Sequence, residues 1–203
     1  MFPSNFLYEF LDILDPIATV PIFLSVSRGL SWKDAMRVAV AALGVAFCIL
    51  TVFIFIGLEF LEALNIPTAS FQLAGSFILF TLGLSMVTGK LNAEIAKLPA
   101  NASILDRAIY PLAMPTIAGA GAILTVVMLS DNHARTLAEQ LHTTYVLALC
   151  LLVHLLSFSL SALIMRFVGL AGVHIITRIF GLMICSIAVS GMVIAIKIIF
   201  ALN

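Results

Sequence analysis

Charge is what this sequence lacks most: ten Lys+Arg and ten Asp+Glu make up only 10% of its 203 residues. A soluble surface takes about a quarter of a chain in charged residues, so a soluble globular domain is excluded. The acids and bases cancel, which leaves no field to steer the chain toward phosphate and excludes nucleic acid as a partner. Disorder is excluded by an excess, since 63% of the residues are hydrophobic where soluble domains carry about 45–50%. Cysteine is scarce as well. Cys48, Cys150 and Cys185 lie in apolar runs without CxxC spacing, the pattern of packed, inert thiols. No P-loop, HExxH or GxSxG motif is present, and no His, Cys and carboxylate residues share metal-ligand spacing. The sequence therefore points to no enzyme, no bound metal and no cofactor.

A mean hydropathy of +1.21 makes lipid the solvent. Charge-free runs at 38–58, 63–89, 108–130, 140–165 and 179–196 are each long enough to cross a bilayer as a helix. A first segment, roughly 5–24, is interrupted by Glu9, Asp12 and Asp15. Six transmembrane helices follow, and no alternating ten-residue segments suggest a β-barrel. The N-terminus has no Lys or Arg ahead of its acids, so the first apolar run is expected to stay in the mature protein rather than act as a cleaved signal. Arg28, Lys33, Arg37, Lys90, Lys97, Arg107, Arg166 and Arg178 fall in odd-numbered loops, against Arg135 alone in the others. The positive-inside rule then places those loops in the cytoplasm and both termini outside.

One integral membrane domain covers 1–203, with a linker at 90–107 between halves of about 1–89 and 108–203. The halves repeat. Asp15-Pro16-Ile17-Ala18-Thr19-Val20-Pro21 in the first helix is matched by Tyr110-Pro111-Leu112-Ala113-Met114-Pro115 in the fourth. Three helices per half invert the second copy in the membrane, the plan of many secondary transporters. Prolines inside a span remove donors and push the preceding residue out of helix, so helices 1 and 4 are expected to be broken at their Pro pairs. Such breaks belong inside protein or along a cavity. Asp15 and Pro16 have the grammar of a helix start, with a capping carboxylate followed by Pro at the first helical position. The run Pro115-Thr116-Ile117-Ala118-Gly119-Ala120-Gly121 is small enough for backbone amides to face an anion such as a carboxylate.

Polar residues within spans form stripes: Thr81, Ser85 and Thr88; His154, Ser157 and Ser161; Ser186 and Ser190. Hydrogen bonds between packed helices are expected of each. His154 either relays protons or packs as a neutral imidazole bonded to a serine. Lys197 is expected to snorkel to the outer interface, and Glu9 and Asp12 to lie among outer headgroups. Asp15 is deeper, where a carboxylate costs at least about 2.5–3.5 kcal/mol.

The sequence resembles the MarC family, six-helix membrane proteins also described as small neutral amino acid transporters of SnatA type. The resemblance rests on Asp15-Pro16 and Val20-Pro21-Ile22-Phe23-Leu24, on Ala74-Gly75 and Gly83-Leu84, and on Pro111-Leu112-Ala113-Met114-Pro115 with Ala118-Gly119-Ala120-Gly121. It continues through Met165-Arg166, Val168-Gly169 and Arg178-Ile179-Phe180-Gly181-Leu182. Ala18-Thr19, Ser76 and Ala120 depart from the family's Gly-Asn, second glycine and proline, which touches the substrate more than the fold. The resemblance implies proton-linked movement of small neutral amino acids such as glycine and alanine across a prokaryotic plasma or inner membrane. The substrate-binding residues would be Asp15, Pro16, Thr19, Pro21, Pro111, Met114, Pro115, Ala118, Gly119 and Gly121. Asp15 and Thr19 would hold the ammonium, and amides around Ala118–Gly121 the carboxylate. Asp15 and His154 are the proton-coupling candidates. Efflux of drugs or metabolites, a passive channel and a membrane assembly partner are the alternatives, and homo-oligomer formation stays open.

Overall fold

The computed structural model describes residues 16–91, 102–129 and 136–201, the side chains of 16–18, 128, 162–168 and 170 excepted. Regular structure among the described residues is all helical. Helix α1 covers Pro16–Val26, α2 Trp32–Ala63, α3 Thr68–Thr88 and α4 Ile104–Arg107. A wide-turn segment, Ala108–Ile117, follows, then α5 at Ala120–Leu129 and α6 at Leu137–Ile199. Four stretches are long and apolar enough to cross a membrane: α2, α3 and two arms of α6, Leu137–Ser161 and Ala171–Ile199. The bent pair Ile104–Ile117 and Ala120–Val127 would make a fifth. Of the first expected span, only the part from residue 16 onward is described.

Each long helix has a local reason to start and stop. Ser31 caps α2 by accepting the Asp34 amide at 3.2 Å, and Arg37 pairs with Asp34 one turn on at 3.1 Å. Ala35, Ala39, Ala42, Ala46, Leu50 and Ile54 form its buried stripe, while Val40, Val52, Ile56 and Phe60 are exposed. Lipid is the natural neighbour of that second face. A capping box between Thr136 and Glu139 opens α6. Gly169 divides α6, with φ 67° and ψ 179°, a backbone conformation that only glycine adopts without strain.

The arrangement centres on α1. Thr19, Ile22, Phe23, Leu24, Ser25 and Val26 are all buried, so this short helix shows no lipid face among its described side chains. It packs against α6 on one side and the wide-turn segment on the other. Phe23 stacks on Phe158 of α6 with ring centroids 4.5 Å apart. Its C-terminal carbonyls find donors: the Ser27 amide and hydroxyl both donate to Phe23 O, and Arg107 Nη1 donates to Val26 O at 3.3 Å.

Helix α3 packs chiefly on α6, antiparallel to its second arm, with Gly83 facing Gly181 and Ser76 facing Gly191. The exit of α1, the start of α2, the end of α3, α4 and the start of the second arm of α6 therefore lie at one end of the molecule. That end gathers Arg28, Lys33, Arg37, Lys90, Arg107 and Arg178. Six hydroxyls of the polar stripes donate within their own helices. Thr81, Ser85 and Thr88 donate to Ile78, Leu82 and Leu84 carbonyls of their own helix. Ser157, Ser161 and Ser186 likewise donate to Val153, Phe158 and Leu182. A short hydroxyl reaches the carbonyl one turn back without any partner helix, which is why the interhelical expectation fails for these residues.

Candidate functional site

The backbone leaves helical geometry where the chain carries its second proline pair. Tyr110 (φ −121°, ψ 130°) and Met114 (φ −128°, ψ 128°) are extended, each immediately before a proline. The following ring crowds its predecessor's α conformation, and proline has no N–H to donate. Other donors close the gap. The Thr116 hydroxyl donates to Pro111 O at 2.6 Å, and the Ala118 amide reaches Ala113 O at 2.8 Å. The Ile123 amide then donates to Gly119 O at 2.9 Å and starts α5, bent 57° from the segment before it. Pro111, Leu112, Ala113, Ile117 and Ala118 are buried, while Tyr110 and Met114, where the backbone leaves helix, are exposed.

Asp15 lies outside the described residues. Pro16 is the first residue of α1, and Thr19 (2% exposed) and Pro21 are buried within that helix. α1 packs on the wide-turn segment, and the contact between residues that is seen there is Arg107 with Val26. Pro115 and Gly119 are half-buried, whereas Met114 and Gly121 are exposed. The Ala118 amide is engaged by Ala113, which removes it from the set expected to meet a carboxylate. Helix geometry instead leaves the amides of Ala120, Gly121 and Ala122 without an acceptor inside α5.

Two close approaches fix where α5 begins. A Cβ on Gly75 of α3 would overlap Ala120, and one on Gly119 would overlap the Pro115 carbonyl oxygen. Sequence reasoning had Gly75 as part of a motif but not its contact with the first turn of α5. A further feature was not legible. Thr51 Oγ1 in α2 is buried with no hydrogen-bond partner, and such groups call for an explanation. Arg107 donates to Val26 O at the end of α1, and a Cβ on Gly57 of α2 would overlap Val127 of α5.

His154 is fully buried in the first arm of α6. Its Nδ1–H donates to the Cys150 carbonyl at 3.0 Å, since a carbonyl only accepts. That partner is a backbone carbonyl one turn back. Its ring meets Phe158 edge-on at 6.2 Å, and Phe158 in turn stacks on Phe23 of α1. The wide-turn segment packs chiefly on α1, α2 and α4. Among the described residues no three His, Cys, Asp or Glu side chains are grouped as a metal would need.

Residues 2–200 match the sequence pattern of MarC family integral membrane proteins. A UPF0056 membrane protein of Buchnera aphidicola is 31% identical over 97% of this chain and 92% of its own. One from Aquifex aeolicus is also 31% identical, with the same coverage. The UPF0056 inner membrane protein YhgN of Escherichia coli is 28% identical over 87% of this chain and 86% of its own. No solved structure matches the chain.

Proposed function

The chain belongs to the MarC family of integral membrane proteins, and from that premise we propose a secondary transporter of small neutral amino acids coupled to the proton gradient. The observation that carries the proposal is the segment Ala108–Ile117, whose backbone leaves helix at Tyr110 and Met114 and which packs against α1. Broken backbone at membrane depth is tolerated where it is wrapped in protein or lines a water-filled cavity. Half-helix ends at such breaks are where secondary transporters hold zwitterions. In this reading α1 with the residues before it is one span and the bent pair another, giving six spans as two inverted three-helix repeats. The basic end faces the cytoplasm of a prokaryotic plasma membrane, and both termini face outside.

The substrate ammonium goes to Asp15 and Thr19 near the start of α1. Its carboxylate goes to the first-turn amides of α5, at Ala120 and Gly121. The positive end of that half-helix favours an anion, and the small side chains of Ala118, Gly119 and Gly121 suit a small substrate better than a drug-sized one. Asp15 and His154 are the groups to carry the coupling proton.

The test is uptake of labelled glycine, alanine, serine and threonine into liposomes holding the purified protein, under an imposed pH gradient. Saturable uptake that collapses when the gradient is dissipated is the expected result. Flux without saturation would mark a channel, and no flux an assembly partner. Asp15→Asn keeps a good N-cap and removes only the charge, so it should abolish coupled uptake while the protein still inserts. Rates within a few-fold of wild type would return Asp15 to a purely structural role.

A further inference from the structure

We propose that the hollow between the end of α3 and the start of the second arm of α6 seats the headgroup of an acidic phospholipid. The hollow has a volume of about 650 Å³ and is lined by Met86, Thr88 and Gly89 from one side and His174, Ile175 and Arg178 from the other. Its position is the first argument. The α3 span ends at Thr88 and the second α6 span begins at Ala171, so the hollow lies where these two apolar stretches end together. The proposal stands apart from transport, because none of these residues belongs to the wide-turn segment or α1.

Its chemistry is the second argument. Arg178 is exposed, none of the described residues lining the hollow is a carboxylate, and among the described residues the ion pair formed is Arg37 with Asp34, at the start of α2. A guanidinium in that setting binds a phosphodiester through two parallel N–H···O bonds. The Arg178 Nη2 lies against Gly89, 3.9 Å from where a Cβ would stand, next to the carbonyl end of α3, whose partial negative charge holds a cation there. The Thr88 hydroxyl already donates to Leu84 O, so it offers a wall rather than a donor. With no acid among the described lining residues, an ammonium or choline group finds no partner among them, which selects an anionic lipid over a zwitterionic one.

Shape is the third. Met86 and Ile175 make the membrane side of the hollow apolar, and the exposed residues Ile175, Ile179 and Leu182 continue as one stripe along α6 into the span. That stripe is a track for an acyl chain, which a free phosphate ion would not need. Basic pockets between transmembrane helices on the basic side of a membrane protein are known seats for such headgroups.

The experiment uses the full chain purified in an uncharged detergent. Lipid adducts are counted by native mass spectrometry, and melting temperature is followed with phosphatidylglycerol, phosphatidylcholine or inorganic phosphate at equal concentration. Phosphatidylglycerol should be retained and should raise the melting temperature; the other two should not. Arg178→Gln should weaken phosphatidylglycerol binding about fivefold, the effect of one basic residue at a membrane surface, while Arg28→Gln should not. Ile175→Glu, on an exposed side chain, puts an acid in the hollow and should have the same effect as Arg178→Gln by a route that leaves Arg178 in place. Equal retention of both lipids, or both variants binding like wild type, would overturn the proposal. So would inorganic phosphate matching the phosphatidylglycerol shift, which would make the ligand a free anion.

Discussion

Two proline pairs in one chain behave differently. Pro16 and Pro21 lie in α1, which is helical from Pro16 to Val26. Pro111 and Pro115 lie in a segment that leaves helix at both Tyr110 and Met114 and bends 57° before α5. Helix phase accounts for the contrast. Pro16 occupies the first helical position, where an N–H would have no acceptor in any case. Only Pro21 deprives a carbonyl, that of Ile17, of its helical donor, and one loss leaves the helix standing. In the second segment both prolines follow residues that would otherwise continue the helix of α4, and each drives its predecessor extended. A proline pair thus breaks a span when both members fall inside it, and stiffens a helix start when one falls at its head.

The contrast is most exposed to Pro115→Ala. That change supplies an N–H able to donate to Pro111 O, where the Thr116 hydroxyl now donates, and frees Met114 to turn helical. Transport in liposomes should fall about 100-fold, the scale of a small misplacement of binding groups, with insertion and folding retained. Wild-type transport in this variant would mean that the break is not the working part. Gly119→Val comes next. Its Cβ would run into the Pro115 carbonyl, so unfolding in detergent should show a loss of about 1–3 kcal/mol. Gly121→Ala has open space at its Cβ and should stay within about 0.5 kcal/mol. Equal losses at the two glycines would deny that the break is tightly packed.

Pro21→Ala probes the other half of the contrast, with a smaller effect of opposite sign. The new amide can donate to the Ile17 carbonyl, a gain of about 1 kcal/mol, offset in part by the freedom the unfolded chain recovers when a proline is lost. Stability should rise by less than about 1 kcal/mol and uptake should stay within a few-fold. A fall in melting temperature would show that the ring itself packs in α1.

How far the sequence could be read follows from the same physics. Charge-free runs mark α2, α3 and both arms of α6, because lipid permits no charged face along a span. The small-residue run and the prolines point to the segment where the backbone does leave the helix. The Gly75–Ala120 contact, the orphan hydroxyl of Thr51 and the hollow beside Arg178 depend on which helices meet, and no local pattern states that. The serine and threonine stripes were misread for the reverse reason. Their spacing is helical whether they bond a neighbour or, as here, their own preceding turn. His154 stands out in sequence as an ionisable group in an apolar run, yet its bond to Cys150 O and its contact with Phe158 had to be seen.

Arg107 gives the smallest and most discriminating prediction. It ends α4, immediately before the wide-turn segment, and its Nη1 donates to Val26 O at the end of α1, so it joins the two proline-bearing elements directly. At 3.3 Å the bond is at the long end for N–H···O, and a partly exposed cation at a helix C-terminus contributes about 0.3–1 kcal/mol. Arg107→Met keeps the apolar stem and removes the donor, so unfolding in detergent should show a loss in that range. Combining it with Pro21→Ala then separates two pictures of the contrast. If α1 and the wide-turn segment respond independently and Arg107 only caps α1, the two changes should add within about 0.5 kcal/mol. A coupling energy above about 1 kcal/mol would show that the straight and the broken proline elements act as one unit through this contact, and would end the view of them as separate solutions to the same motif.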